Sequence, residues 1–541
     1  MKKIGLFFVF VCAAFSSFAQ LQRPKLIVGI VVDQMRWDYL YRYYDKYSND
    51  GFKRLLNEGY SCGNTFINYL PAYTAVGHST IFSGSVPSID GIAGNDWRFQ
   101  NSGKMTYCTD DSTVSTVGAT GDAGKMSPHN LWVTTITDEL RLATNFKSKV
   151  IGVSLKDRAS ILPAGHNPTG AFWLDDASGN FITSTYYMNE LPNWVKTFNQ
   201  GKYIDKLIKK GWNTILPIEQ YTESTKDNVS WEGKLSGATV PAFPFDLRKA
   251  YAANKENFRA TPFGNTLTLQ FAEAAINGEQ LGQRNATDFL TINCASTDYV
   301  GHMTGTNSIE TEDVYLRLDK DLGKFLKILD AKVGKGNYLV FLTADHGAAQ
   351  AEGFMKDNKM PTGFFPSLKK SLDSYLQEKF GTEKLVLGLE NDEVSFNNAV
   401  IDSKGLDKGT IKKATINFLQ KQMGVLYAVD ESKAAIAPIP ATLREMIING
   451  YNRERSGEIK IILQSGWLPN HYKTGTTHGL WNPYDTHIPL LFMGWKIPHG
   501  ESNHTVYMTD IAPTIAALLH IQMPSGCIGK PITSLTDKIN K

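Results

Sequence analysis

Four short apolar runs punctuate the chain without polar alternation: Leu26–Val32 (LIVGIVV), 149–153 (KVIGV), 289–293 (FLTIN) and Tyr338–Thr343 (YLVFLT). A strand reads this way when helices cover both faces of its sheet, because every side chain then meets an apolar layer whichever way it points. Ile459–Leu463 and 489–493 are later runs of the same kind. Between them lie amphipathic stretches at helical spacing, as over 132–144 and 312–329. Strands and helices in alternation predict an α/β fold, a three-layer α/β/α sandwich around a mostly parallel sheet.

Each informative run ends in groups able to do chemistry. Leu26–Val32 leads into Asp33, and 149–153 is followed by Lys156 and Arg158. The run 289–293 is followed by Asp298 and His302, and Tyr338–Thr343 by Asp345 and His346. Ligands of open α/β sheets bind just beyond the carboxyl ends of the strands. One Asp or His in such a place is ordinarily a cap or turn residue, but recurrence at strand after strand points to a shared site. Two stretches break the rhythm. Residues 168–258 are rich in Trp, Tyr, Asn, Gly and Pro, with Trp173, Trp194, Trp212 and Trp231. Residues 353–452 carry a helical pattern over 366–380 and a strand-like LVLGL. Both are expected to be insertions over the core, with the aromatic one capping the site and biasing leaving-group choice.

Length and composition narrow the class. A chain of 541 residues with 42% hydrophobic and 20% charged residues is folded, and large enough for one α/β domain with insertions. Residues 1–19 read as a secretory signal: Lys2 and Lys3, an apolar run over 4–15, then Ser17-Phe18-Ala19 before Gln20. Cleavage there predicts a periplasmic or secreted protein. Losing Lys2 and Lys3 from 56 basic residues leaves 54 against 53 acidic ones, a net charge of +1. That balance argues against a dedicated nucleic-acid or membrane-surface binder, and no later stretch is apolar enough for stable membrane insertion. The remaining cysteines, Cys62, Cys108, Cys294 and Cys527, form neither a zinc knuckle nor a disulfide scaffold.

Asp33, Asp298, His302, Asp345, His346 and His478 together offer three carboxylates and three imidazoles. Such a set suits two zinc ions, which take O and N ligands in near-tetrahedral sites. Two ions about 4 Å apart clamp both the entering and the departing oxygen of an in-line displacement. Thr74 is the candidate nucleophile. A helix over 75–82 would make it the N-cap, where backbone N–H groups and the helix dipole favour an anion. A threonine hydroxyl is a poor nucleophile until a metal ion lowers its pKa. The local sequence alone also fits a plain N-cap threonine.

The run 68–78 (NYLPAYTAVGH), followed by TIFSGSVP, resembles the nucleophile segment of the alkaline phosphatase superfamily. VVDQMRWDYL at the first strand, SLKDRASILPAGH at 154–166, STDYVGH at 296–302, TADHG at 343–347 and GTTHG at 475–479 follow in order. Together they are similar to the PafA-type, phosphate-irrepressible bacterial alkaline phosphatases over nearly the whole chain beyond the signal. The resemblance implies that Asp33, Asp345 and His346 hold the zinc that activates Thr74, while Asp298, His302 and His478 hold the second. It implies that Asn95, in Gly94-Asn95-Asp96-Trp97, binds a phosphoryl oxygen and that Lys156 and Arg158 bind the others. His487 is a rival to His478, ranked second because GTTHG matches the family's ligand position. His78, His129 and His166 are read as structural or supporting, and Arg317 and Asp319 as packing and surface charge.

The expected function is hydrolysis of small phosphate monoesters through a phosphothreonine. Lys156 and Arg158 favour a monoester dianion, since two cations stabilise its extra charge. A diesterase of the same superfamily is the first alternative, and a metal-bound protein without activity is the alternative of another class. A sulfatase would need Cys or Ser followed by x-Pro-x-Arg, where this chain has Val76 and His78 after Thr74.

Overall fold

The computed structural model describes residues 22–469 and 471–539, so the expected signal at 1–19 lies outside the described residues. The runs that lack alternation are strands buried on both faces. Every residue of Leu26–Val32 is buried, and so is every residue of Asp288–Cys294 and Tyr338–Thr343. Among the described residues the main sheet has 11 strands. Its centre is parallel, in the order Tyr338–Thr343, Leu26–Val32, Asp288–Cys294, Val150–Ser154, Gly170–Asp175. Leu490–Gly494 adds antiparallel on one side and Asn180–Ser184 on the other. The expected mostly parallel sheet is thus parallel at its centre and antiparallel at both flanks.

Two helix groups cover the faces. Phe263–Glu279 packs with Ile309–Leu329 on one side, and Thr74–Ser83 packs with Asp157–Ala164 and Ile511–Leu519 on the other. The periodicity is local: Leu267, Phe271 and Ala275, four residues apart, are all 2% exposed or less. The register matters for function. Val31 pairs with both Thr343 and Asn293, so three central strands end level. Whatever follows each of them emerges on one rim.

Three expectations about organisation change. The stretch 168–258 begins as core, because Gly170–Asp175 and Asn180–Ser184 belong to the main sheet. Conversely, Ile459–Leu463 is not a core strand. It pairs antiparallel with Glu393–Phe396 and Val425–Asp430 in a separate four-stranded sheet. Helices Lys369–Phe380 and Lys408–Leu419 bury Leu372, Leu376, Ile411 and Leu419 in that unit's own apolar cluster. The second insertion therefore runs on past 452, and its strand mimics a core strand because it too is buried along its whole length. Asp319 is not surface charge: it is buried and accepts from the Ser48 and Phe52 N–H groups at 2.7 and 2.8 Å, steadying helix Phe52–Glu58. All four cysteines of the described residues are free thiols.

Candidate metal and phosphoryl-transfer site

The level strand ends place Asp33, Lys156, Asp298 and Asp345 around one buried point, and all four are at most 4% exposed. The helix opposite supplies Thr74. It spans Thr74–Ser83 with Tyr73 as N-cap, so Thr74 is its first helical residue and not the cap expected from sequence. Gly77 allows this helix its close approach, since a Cβ there would stand 2.7 Å from the Asp345 Cβ. His478 arrives on a separate loop, in which Gly475 takes the left-handed φ of 68° and lies against the His302 carbonyl.

Two ligand sets form. Asp33, Asp345 and His346 bring one ligand atom each within 4.8 Å of one another, as do Asp298, His346 and His478. His302 joins the second set through Nε2, 3.0 Å from Asp298 Oδ1. The imidazoles are fixed from behind: His346 Nδ1 faces the Gly347 carbonyl at 3.0 Å, His478 Nδ1 that of Ala72 at 2.7 Å and His302 Nδ1 that of Thr476 at 2.8 Å. A carbonyl can only accept, so each Nδ1 carries a proton and each Nε2 is turned inward, where His346 and His478 offer a lone pair.

These residues fit a metal. Asp33 Oδ1 and Asp345 Oδ2 are buried without any hydrogen-bond partner. They face His346 Nε2 at 3.7 and 3.3 Å. Three electron-rich atoms turned on one another, with no hydrogen between them, are costly in a dry interior unless a cation joins them. Burial, reinforced by the Asp33 charge, pushes Asp345 well above the usual carboxylate range. Burial pulls the His346 imidazole down to about 4 and takes His478 well below its ordinary value. His302 goes the other way, because the adjacent Asp298 outweighs its burial. The mixed O and N donor set suits zinc better than a purely oxygen-seeking ion.

Thr74 Oγ1 stands 3.4 Å from His346 Nε2 and 3.5 Å from Lys156 Nζ. The Lys156 ammonium also donates to Asp33 Oδ2 at 2.8 Å and Asp298 Oδ2 at 2.7 Å. Burial alone would lower its pKa, but those two carboxylates outweigh it and hold the charge on. Asn95 Oδ1 accepts from the Ala75 N–H at 3.0 Å, which leaves its NH₂ free to donate beside the Thr74 hydroxyl. Arg158 donates to the Tyr107 hydroxyl at 2.9 Å, while its Nε is buried with no partner.

His487 and His166 bond elsewhere, while His78 stands directly behind the site, its Nδ1 3.5 Å from Asp345 Oδ2. His487 Nε2 bonds the Gly63 carbonyl at 2.9 Å, and its ring stacks between Trp37 and Phe66. His166 binds Asp138 and the Leu131 carbonyl, each at 3.0 Å. His78 backs the helix that carries Thr74 through the Thr74 carbonyl at 2.8 Å. The structure also brings in residues that the sequence reading passed over. Gln34, at φ 61°, donates from its backbone to Asp345 and from its amide to Asp298 at 2.6 Å, bridging the two sets. Asn293 donates to Asp33 Oδ2 at 3.2 Å. An uncharged amide ending a buried apolar strand was the one signal available for it. The cleft above the site, about 630 Å³, is lined by Tyr73, Asn95, His302, Leu368, Asp392 and Tyr472 among others. The second insertion, not the aromatic stretch 168–258, therefore supplies its outer wall.

A helix-flanked parallel sheet with two such ligand sets beside a helix-borne hydroxyl is the frame of the alkaline phosphatase superfamily. Residues 27–487 match the family described as type I phosphodiesterase / nucleotide pyrophosphatase, and the chain belongs to it, on the PafA-type alkaline phosphatase branch. It is 58% identical over 516 residues to alkaline phosphatase PafA of Elizabethkingia meningoseptica, covering 95% of this chain and 94% of that protein. It is 52% identical over 519 residues to a Myroides odoratus protein named calcium-transporting ATPase, covering 95% of each. The crystal structure of wild-type PafA superimposes with a TM-score of 0.94 at 58% identity, covering 95% of this chain and 99% of that one.

Proposed function

We propose that the protein is an exported, two-zinc alkaline phosphatase that hydrolyses small phosphate monoesters through a phosphothreonine on Thr74. The observation that carries this reading is the Thr74 hydroxyl, 3.4 Å from an inward-facing imidazole nitrogen of a ligand set that already has unpartnered carboxylate oxygens. Asp33, Asp345 and His346 would hold one zinc and Asp298, His302 and His478 the other. When bound, the two ions supply Lewis acidity that lowers the hydroxyl pKa and offsets charge on the departing oxygen.

The chain's own groups do the rest. Thr74 Oγ loses its proton and forms a bond to phosphorus as the bond to the leaving oxygen breaks, and that oxygen takes up a proton. The positive end of helix Thr74–Ser83, the Asn95 amide, Lys156 and Arg158 face the phosphoryl oxygens. Water then attacks the phosphothreonine and returns Thr74, with phosphate released. The Lys156–Arg158 pair favours the dianion of a monoester over a diester, which has less charge to stabilise. The name of the Myroides relative joins ATP hydrolysis to transport. A terminal phosphoryl group is chemistry this site suits. No helix of the described residues is long and apolar enough to cross a membrane, and the proposal is confined to hydrolysis.

The test is stripping with a chelator, followed by reloading with single metals and parallel assays on an aryl monoester and an aryl diester. Activity is expected to vanish with the metal and return with two equivalents of zinc, with the monoester strongly preferred. Full turnover in metal-free protein, or a diester preference, overturns the reading.

A further inference from the structure

Away from the phosphoryl-transfer site lies a second cluster of acids. Asp227, Glu232 and Glu310 bring one carboxylate oxygen each within 4.8 Å of one another. Glu310 is 0% exposed and Glu232 5%. Both oxygens of Glu310, Oε1 of Glu232 and Oδ1 of Asp227 are buried without a hydrogen-bond partner. The remaining oxygens are used: Glu232 Oε2 accepts from the Val229 N–H and Asp227 Oδ2 from the Phe243 N–H, both at 3.1 Å. Those bonds turn the free oxygens toward the common centre. Glu310 sits in the first turn of helix Ile309–Leu329, where the dipole favours its anion. Among the described residues, no Lys, Arg or His forms an ion pair with any of the three. Like charges this close, out of water and with four oxygens unanswered, demand either a cation or a proton.

We propose that Asp227, Glu232 and Glu310 form a third cation site, separate from the zinc ligands, that binds a hard divalent ion of the calcium class. The donors are carboxylate oxygens only, with no imidazole or thiolate, which favours calcium or magnesium over zinc. The half-buried Asp227 sits on a loop, where an irregular and adjustable oxygen shell suits calcium better than the strict octahedron of magnesium. The ion would fasten the 225–233 loop to the start of the long helix. That loop is itself tied to the zinc ligands' supports. The Thr225 N–H donates to the Asn307 carbonyl, the Gly233 N–H to Met303 next to His302, and the Gly475 N–H to Trp231, each at 2.7 Å. Calcium would thereby steady the loop that carries His478.

The test uses full-length protein stripped of metal and reloaded with zinc alone. Terbium is titrated as a luminescent calcium mimic, because Trp231 adjoins Glu232 and can sensitise it. One terbium per chain is expected to bind, to be displaced by calcium and not by equal magnesium, and calcium is expected to raise the melting temperature saturably, by about 3 °C. Glu310→Gln is expected to weaken calcium binding about tenfold or more. Should that variant fold poorly, the half-buried Asp227→Asn reads the same loss. The absence of any terbium signal and calcium-dependent shift in the wild type overturns the site, as does an undiminished response in both variants. Equal displacement by magnesium overturns the calcium assignment. If a shared proton occupies the cluster instead, Glu310→Gln melts as high as the wild type in calcium and the wild type ignores calcium.

Discussion

Across the cleft, two surfaces built on different principles face each other. The inner one is the rim of the main sheet, where level strand ends and one helix fix Asp33, Thr74, Lys156, Asp298 and Asp345 in a buried setting. The outer one belongs to the second insertion, a small antiparallel sheet with its own apolar cluster, which contributes Leu368, Asp392 and Tyr472 to the cleft wall. Rim residues are held by hydrogen bonds to one another, as with Gln34, Asn293 and Lys156. The cap packs largely on itself. Under the proposed function the chemical step falls to the rim and the choice of leaving group to the cap, and substitutions on the two sides are predicted to move different kinetic constants.

The sharpest break in that division is Thr74→Ala. The ligands are untouched, so metal content should remain that of the wild type while kcat falls on the order of 10⁵-fold, the scale seen when a covalent nucleophile is deleted. Mass spectrometry of acid-quenched wild type should show phosphate on Thr74 and none on the variant. Retention of a tenth of the activity would move the nucleophile elsewhere. Next in size is the double change Lys156→Ala with Arg158→Ala. Each residue offers a charge-assisted contact, so monoester kcat/KM should fall roughly 10³-fold while diester kcat/KM changes far less. Equal losses on both substrates would mean that the pair supports the fold and not the dianion. Lys156 also bridges Asp33 and Asp298, so the metal content of Lys156→Ala separates the two roles.

Much of the rim was legible in the sequence, for a physical reason. Strands covered on both faces cannot alternate, so Leu26–Val32 and Tyr338–Thr343 announce themselves, and the residues that follow them must emerge on one side. The same logic misplaced Ile459–Leu463. Full burial is all that a continuous apolar run reports, and a cap sheet packed between helices and the domain buries its strand equally well. His478 and His487 were separated by likeness to a family and not by local chemistry, because only the fold decides that one, on a loop, stacks on His346 while the other, opening a short strand paired with Phe66, stacks between Trp37 and Phe66. The cluster of Asp227, Glu232 and Glu310 left no trace in the sequence. Its members sit on a loop and a distant helix, and carboxylates so placed read as ordinary surface charge until the chain is folded.

The smallest expected effect lies on the cap side and tests the division directly. Tyr472 stands at the cleft with its ring nearly parallel to His302, 5.9 Å between centroids and 19° between planes. It touches the ligand set only through that stacking, and His302 keeps its own anchors in Asp298 and the Thr476 carbonyl. Tyr472→Ala should therefore leave metal content intact and kcat within about twofold. An aromatic wall is worth about 1 kcal/mol to an aromatic leaving group and little to a small alkyl one. KM for aryl phosphates should rise roughly fivefold, with alkyl phosphates almost unaffected. Replacement by Phe should restore the wild-type pattern, since the ring and not the hydroxyl makes the contact. If Tyr472→Ala instead lowers kcat for every substrate alike, then the cap takes part in holding His302, and the two walls of the cleft form one catalytic unit.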